Sequence, residues 1–498
     1  MLPLERASKI FNGFFKNGGT IQQRTIRGSV WLLASIWLTK PIQFIQTVIL
    51  VRVLNPSDFG LMGILYVITG TMDVFTSTGI QSAIIQGKDI RKEALDTAWV
   101  FSIIRGITNC ILLYILAPYV ASFYETPIIE KIIKIFAITY LLGGFKNIGM
   151  VIFAREIDFK MIAIAEQIKG LLQMVVTVVF AIILKNVWAL VIGYVVGEGI
   201  ALIVSYLLHP FRPSFKFDLN IAKGLFSFGR YVFLSGIIIH IINKGDDALV
   251  GKVLSLETLG FYTLAYGLAT LPSNYITDLI STITFSTFSR LQEEGATLRK
   301  GYLTTLELVS FISVPASAGI AILAPEIVEV VYGAKWLPMV QSLRVLCIFG
   351  MIKTIVSISG SLFQGVGKPN YLAYLSFAQL IIMIIIIYPL TITYNILGTS
   401  IAVVVPMVLI QGWALKKTSE IIKERLSVIL KIISVPIAGS IVMLIVLSSF
   451  KNQFVNKISF LWLLGLVLLG GGVYCSAIFF VDRKIFIKMR TLISIHVK

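Results

Sequence analysis

A set of cations and a set of carboxylates stand inside stretches of sequence that are otherwise oily. The cations are Lys40, Arg52, Arg105, Lys146, Lys169, Lys244, Arg344 and Lys353; the carboxylates are Asp73, Glu166, Glu198, Asp246, Asp247 and Asp278. They are densest in "NKGDD", where Lys244, Asp246 and Asp247 follow an apolar run. Placing one such charge in hydrocarbon costs about 2.5–3.5 kcal/mol even on lenient insertion scales. Each must therefore face water, backbone or another charge. Lys and Arg in such a setting hold anions through charge-assisted hydrogen bonds. Desolvated carboxylates exchange protons near physiological pH or take a cation such as sodium. Glu307 and His240 lie at similar depth and join the second group. Glu166 and Lys169, three apart on one helix face, are expected to pair. Arg52, Lys146 and Lys169 stand near the ends of their runs, where a long side chain can snorkel to the interface. Lys40, Arg105 and Lys244 sit deeper and are expected to converge on one solvated cavity.

The elements that must position these residues are membrane helices. The chain has 498 residues, 57% hydrophobic and 14% charged, against about a quarter charged in soluble domains. Apolar windows of about 20 residues recur throughout, the length that crosses a bilayer core of about 30 Å. They predict about fourteen spans, near 28–54, 59–86, 94–123, 128–153, 159–184, 187–208, 225–254, 259–288, 302–332, 337–364, 371–391, 396–415, 428–450 and 458–481. The net charge of +18 follows the positive-inside rule rather than nucleic-acid binding, for which no module is visible. Connections such as "AREIDFK", "FRPSFKFDLNIAKG", "SRLQEEGATLRKG" and "KKTSEIIKER" are basic and alternate with turns, such as "NPSD" and "YETP", that carry few charges. Both termini are thus expected in the cytoplasm. No connection is long enough for a separate domain, so the chemistry belongs within the membrane. Cys110, Cys347 and Cys475 are scattered through apolar runs and read as packing residues. The basic N-terminal stretch lacks the pattern of a cleavable signal, which leaves targeting to the first span.

The sequence repeats itself. "RVLNPSDFGLMGILY" (52–66) aligns without a gap on "KVLSLETLGFYTLAY" (252–266), and "LAPYVASFY" (116–124) resembles "LAPEIVEVVY" (323–332) in the same order. The offset of six spans is even, so the duplicated halves share one orientation, a plan that recurs in alternating-access transporters. In such folds, matching Gly- or Pro-interrupted spans point to the binding site. Here the first span carries Lys40 before Pro41, and the seventh carries Lys244 before Gly245. "GYVVG" in the sixth span is a G-x-x-x-G pattern, a weak sign of close helix packing.

"NKGDDALVGKVLSLETLGFYTLAYGLATLP", "FSTFSRLQ", "LAPEIVEVVYGAKW" and "VLNPSDFGLMG" together resemble the Wzx-like lipopolysaccharide and exopolysaccharide biosynthesis proteins. These form the polysaccharide branch of the multidrug/oligosaccharidyl-lipid/polysaccharide exporter superfamily, and the resemblance runs over residues 29–418 or so. It implies an all-α polytopic membrane protein of V-shaped plan. The corresponding division is a cytoplasmic segment 1–27, an N-lobe 28–208 of spans 1–6, a linker 209–224, a C-lobe 225–418 of spans 7–12, two additional spans within 419–481, and a cytoplasmic tail 482–498. It also implies a flippase turning an undecaprenyl-pyrophosphate-linked oligosaccharide across the bacterial inner membrane for surface polysaccharide synthesis. The cations named above would then hold the anionic head group, and the carboxylates would couple a proton or sodium gradient. The Asp near the middle of the family's seventh-span signature matches Asp246 or Asp247. Trp31, Trp37, Tyr66 and Tyr231 could stack on sugars, although aromatics in spans are mostly core or interface belt. The expected partners are the lipid-linked oligosaccharide, membrane lipids, a polysaccharide polymerase and a chain-length regulator, with the chain working as a monomer and no nucleic acid involved.

Several chemistries lack their motifs. No G-x-x-x-x-G-K-[ST] phosphate loop, H-E-x-x-H or cysteine pair occurs, so neither ATP hydrolysis nor a resident metal cofactor is expected. A multidrug antiporter of the same superfamily would favour an acidic cleft for its cationic substrates. A polysaccharide polymerase or glycosyltransferase would need a sizeable loop or domain. Lys40→Ala or Lys244→Ala is expected to lower surface polysaccharide while protein level in the membrane stays intact.

Overall fold

The computed structural model of the chain describes residues 21–76, 84, 91–156, 158–453 and 459–481. Among these residues the structure is all-helical, with no strand, and nine helices are long and apolar enough to cross a membrane. The basic N-terminal residues before 21 and the tail after 481 lie outside the described residues, as do the side chains of Trp37, Tyr231 and Asp278.

The chain divides into two compact units. One comprises residues up to Leu54 together with Ile68–Ile237; the other comprises Asn55–Val67 and everything from Ile238. The cuts therefore differ from the lobe boundaries expected at 208 and 225. Residues 209–237 stay with the first unit, and the start of the second span belongs to the second.

In the first unit, α1 (Ile21–Val53) packs on α7 (Phe159–Leu184), and α7 packs on α8 (Trp188–Leu208). The α7–α8 contact is close because the G-x-x-x-G glycines have no side chains: a Cβ on Gly193 would fall 2.0 Å from Thr177 Oγ1. Opposite them, α3 (Lys92–Phe123) packs on α4 (Ile128–Phe136) and α5 (Ile138–Gly144). The interruption expected at Pro41 does not occur, since α1 runs helical through it. The break falls instead in the fourth span. The apolar window 128–153 is cut into α4, α5 and α6 (Met150–Arg155), with irregular backbone between Gly144 and Met150. Irregular backbone at membrane depth is tolerated where it is buried in protein or lines a cavity. Here buried Asn147 supplies partners: its Nδ2 donates to Phe211 O at 2.8 Å, and its Oδ1 accepts from Gly149 N at 2.9 Å.

In the second unit, α9 (Leu219–Val253, from Ile238 onward) leads to α10 (Leu256–Arg290), which packs on α13 (Val340–Gly365). Gly245 does not interrupt α9. Next, α11 (Gly295–Ile322) is followed by the short α12 (Ala324–Ile327) and two tight turns of π and 3₁₀ type. The eleventh and twelfth windows join as α14 (Asn370–Ile422), kinked at Asn395 where φ is 53° and ψ is −140°. The C-terminal α15 (Leu426–Gln453) packs on α11 and on α16 (Phe460–Val481). Lys451 pins α15 to Glu326 at 2.7 Å.

The first duplicated pair meets within this second unit, through α2 (Pro56–Phe75) and α10. A Cβ on Gly60 would lie 1.9 Å from Leu256 O, and one on Gly260 would lie 1.9 Å from Pro56 O. The contact is reciprocal at one sequence offset, as a local two-fold between duplicated segments requires. Both segments also enter their helices alike. Asp58 Oδ2 accepts from Asn55 N at 2.9 Å, and Ser255 Oγ accepts from Thr258 N at 3.1 Å; such caps contribute about 1 kcal/mol each. Fully buried Trp336 packs edge-on to Phe59 and Phe261, at centroid distances of 5.4 and 5.7 Å. The second pair ends alike too: the residue after each closing tyrosine has positive φ, Glu125 at 54° and Gly333 at 104°.

Candidate functional site

The first unit holds a cavity of about 320 Å³ whose charged lining is Asp73, Arg105, Lys146 and Glu198. Its position follows from close packing of α3 on α5. A Cβ on Gly106 would lie 2.5 Å from Tyr140 O, and one on Gly144 would lie 2.8 Å from Ser102 O. Two glycines thus bring the backbones together, and the chain breaks just beyond Gly144. The break turns Lys146 away from a regular helix face and into the cavity lining. Tyr140, Tyr194 and Phe136 supply aromatic walls. Tyr140 is fixed by donating its hydroxyl hydrogen to Thr69 O at 2.9 Å, and Phe136 packs on Tyr194 at 4.8 Å between centroids.

A second cavity of about 330 Å³ adjoins the first. It shares Ser102, Gly143 and Lys146 and adds Glu166 and Lys169. Between the two stands Glu198, on α8. Its Oε2 lies 2.6 Å from Lys146 Nζ and its Oε1 lies 2.6 Å from Lys169 Nζ. One carboxylate therefore joins two lysines from two other elements. The side chains of Lys146 and Lys169 are 34% and 22% exposed, while that of Glu198 is 11% exposed. Each lysine lines a cavity, and the carboxylate, which lines the first, is the most enclosed of the three. Lys169 thus pairs with Glu198 rather than with Glu166 three residues earlier, correcting the expectation from helix spacing. Lys146 is likewise not snorkelling at a span end; it stands in the break and lines both cavities.

Arg105 and Lys146 meet in the first cavity, but Lys40 is not among its lining residues. A smaller cavity near Lys40, of about 70 Å³, is lined by Thr39, Gln43, Gln46, Gln167 and Gln173. There Gln167 Nε2 donates to Ser35 O at 2.9 Å, and to Thr39. Trp31 lies under Lys160 at 5.7 Å, a cation–π contact, and Tyr66 is exposed. Arg52 is exposed at the end of α1.

The second unit carries its own charged cluster. Lys244 Nζ lies 2.7 Å from Asp247 Oδ2, and Tyr262 donates its hydroxyl hydrogen to Asp246 Oδ2 at 2.6 Å. Both aspartates are buried. Lys353 Nζ reaches Asn274 Oδ1 at 3.4 Å. Arg344, Glu307 and His240 are half-buried on α13, α11 and α9.

The aromatic lining of Tyr140 and Tyr194 was not singled out from sequence, because a tyrosine in an apolar window reads equally as core. Tyr262 was missed for the same reason. Asp96, buried at the start of α3, was also missed: its Oδ1 accepts from Ser214 N at 2.8 Å and its Oδ2 from Ser214 Oγ at 2.5 Å, tying down the segment after α8. A carboxylate between Leu95 and Thr97, at the entry to an apolar window, was the available signal.

Residues 49–341 match the family model described as polysaccharide biosynthesis protein. The chain is 27% identical over 479 residues to an uncharacterized membrane protein in the cps region of Klebsiella pneumoniae, covering 95% of this chain and 98% of that one. It is 24% identical over 345 residues to the lipopolysaccharide biosynthesis protein WzxC of Escherichia coli (strain K12), covering 69% and 70%. Among solved structures, its fold is similar to that of the lipid II flippase MurJ in an inward closed conformation. The TM-score is 0.74 at 16% identity, over 91% of this chain and 99% of that one.

Proposed function

The chain belongs to the polysaccharide biosynthesis protein family, and from that membership we propose that it flips an undecaprenyl-pyrophosphate-linked oligosaccharide across the bacterial inner membrane by alternating access. It is a membrane transporter of polysaccharide biosynthesis and not an enzyme. The reading is supported by relatives whose names place them in lipopolysaccharide synthesis and by a fold similar to that of a lipid II flippase. In this reading the helices form two six-helix lobes plus α15 and α16, about fourteen spans in all, with both termini cytoplasmic by charge bias. The chain acts as a monomer and hands its cargo to a polymerase and chain-length regulator. A proton or sodium gradient acting on the membrane carboxylates drives the cycle.

One observation carries the proposal: the cavity of about 320 Å³ that places Arg105 and Lys146 beside tyrosines at membrane depth. A diphosphate crossing the membrane needs cations that hydrocarbon cannot supply, and sugars need polar and aromatic walls. A multidrug antiporter asks for a cleft in which acids outweigh bases. Here Arg105 and Lys146 stand against Asp73 and Glu198, and Lys169 against Glu166 next door, so acids do not outweigh bases.

The test is transbilayer movement of a fluorescent polyprenyl-diphosphate sugar in proteoliposomes. Arg105→Ala and Lys146→Ala are expected to slow it tenfold or more, with protein yield unchanged. Equal rates in protein-free liposomes and in liposomes holding the unsubstituted chain would remove the proposal.

A further inference from the structure

Glu198 is placed oddly for a site that must attract an anion, because it occupies the ammonium groups the anion would use. Both carboxylate oxygens are committed, one to Lys146 and one to Lys169, each at 2.6 Å. Lys146 lines both cavities, Glu198 lines the first and Lys169 the second, so the carboxylate stands at their junction. It is the most enclosed of the three, with a side chain 11% exposed. Its neighbours Gly197 and Gly199 add no bulk, and Gly197 lies against Gln173 of α7.

We infer that Glu198 is a resident counter-ion that sets a charge threshold for the head group, leaving the two lysines empty of singly charged anions and open to a diphosphate. The inference deepens the flippase reading and rests on it. Two lysines and one carboxylate leave a net charge of +1 on the ion-paired triad itself; Asp73 offsets Arg105 in the first cavity, and Glu166 lines the second without pairing to Lys169. The phosphodiester of an ordinary anionic lipid brings one negative charge. It is drawn by that residual charge alone, and to reach either ammonium it must compete with a carboxylate already seated between the lysines. Displacing Glu198 would exchange one carboxylate-like charge for another and leave a buried carboxylate unpaired, which is strongly unfavourable. A diphosphate brings at least two charges, so its attraction to the same junction is at least doubled. It can engage both lysines while Glu198 keeps part of its pairing. The same carboxylate weakens the final hold, so the head group can leave on the other side. This is rejection built into the site rather than added attraction. The chemistry matters in a membrane where singly charged anionic lipids are abundant.

The experiment measures binding of inorganic pyrophosphate to the full chain in nanodiscs of phosphatidylcholine alone, and in nanodiscs with phosphatidylglycerol added. In phosphatidylcholine, Glu198→Gln is expected to bind pyrophosphate at least tenfold more tightly than the unsubstituted chain. Phosphatidylglycerol should then remove most of that gain, because the phosphodiester now occupies the freed lysines. The bilayer's surface potential acts on both proteins alike, so the ratio between them reports the filter. Glu198→Asp is shorter by one methylene and cannot reach both lysines. It should fall between the two and guards against a folding defect in the first variant. If Lys146→Gln and Lys169→Gln abolish binding while Glu198→Gln matches the unsubstituted chain, the filter is wrong and the anion-site reading stands. If phosphatidylglycerol lowers both proteins' affinity by the same factor, the threshold is likewise wrong. If neither the unsubstituted chain nor any variant binds pyrophosphate, both fall.

Discussion

The two units each hold lysine and carboxylate at membrane depth, and they use them in opposite ways. In the first, Lys146, Glu198 and Lys169 border two cavities, and the ammonium groups remain reachable. In the second, Asp246 and Asp247 are 1% and 5% exposed, held by Tyr262 and by Lys244 on their own helix, although the Lys244 side chain is itself 34% exposed. Asp246 Oδ1 has no hydrogen-bond partner among the described residues. A charge beside a cavity can change partners during a transport cycle. A charge sealed in packing holds helices together, or waits for a rearrangement that opens it. The densest charge cluster in the sequence therefore holds the most deeply buried carboxylates, and the more dispersed charges border the two cavities.

The comparison predicts its own largest effect. Lys244→Ala leaves the buried Asp247 without its ion-pair partner; Lys244 is 34% exposed, so the cost falls below the roughly 3–5 kcal/mol of a fully buried pair but stays the largest expected here. Thermal unfolding in detergent should show the loss, and the amount of protein in the membrane should fall. This reverses the sequence-based expectation that Lys244→Ala would spare protein level. Lys169→Ala makes the contrast, because Glu198 keeps Lys146 and is not left unpaired, so the loss of stability should be smaller. Equal destabilisation by the two substitutions would erase the distinction between a carboxylate with one lysine partner and a carboxylate with two.

A gentler substitution sharpens the same contrast from the side of shape. Gly143 lines both cavities of the first unit, and a Cβ there would meet nothing within 4 Å. Gly143→Leu should fill space without a clash, leaving stability within about 1 kcal/mol. Transport in proteoliposomes should nonetheless drop severalfold. Retained transport at full stability would mean that the substrate does not use this cavity.

What could be read from sequence divides along physical lines. The charges themselves were legible, because a lysine in an apolar window violates composition locally. The duplicated segments 52–66 and 252–266 were legible because a backbone contact through Gly60 and Gly260 constrains residue type at fixed positions. The pairing of Glu198 was not legible. Its partners lie on other elements, and only tertiary packing decides that Lys169 turns to α8 rather than to Glu166 on its own helix. The broken fourth span was also hidden, since residues 128–153 average to one apolar window. Gly143, Gly144 and Asn147 are the breakers there, yet by residue type Pro41 is the stronger one, and α1 passes through it unbroken.

The smallest effect concerns the segment that follows α8, on the first unit alone. His209 caps that helix, is buried, and accepts a hydrogen bond on Nδ1 from Phe211 N at 3.1 Å. Burial holds its pKa below the usual histidine value; Glu156 acts the other way and Arg212 reinforces the lowering. Opening the segment returns the imidazole to a pKa of about 6.5, so the open form binds more protons than the closed one below that pH. The contribution of His209 to closure is complete above about 6.5 and is lost as pH falls through the lower, folded value. Protonating Nδ1 also removes the acceptor that Phe211 uses. Hydrogen exchange at the amides of residues 211–218 should therefore quicken more, on going from pH 7 to pH 5, than the intrinsic chemistry of exchange accounts for. His209→Asn keeps an acceptor without a titrating group, so its exchange should follow the intrinsic pH dependence alone. Identical pH profiles for the variant and the unsubstituted chain would assign the segment's closure to Asp96 and Ser214 instead.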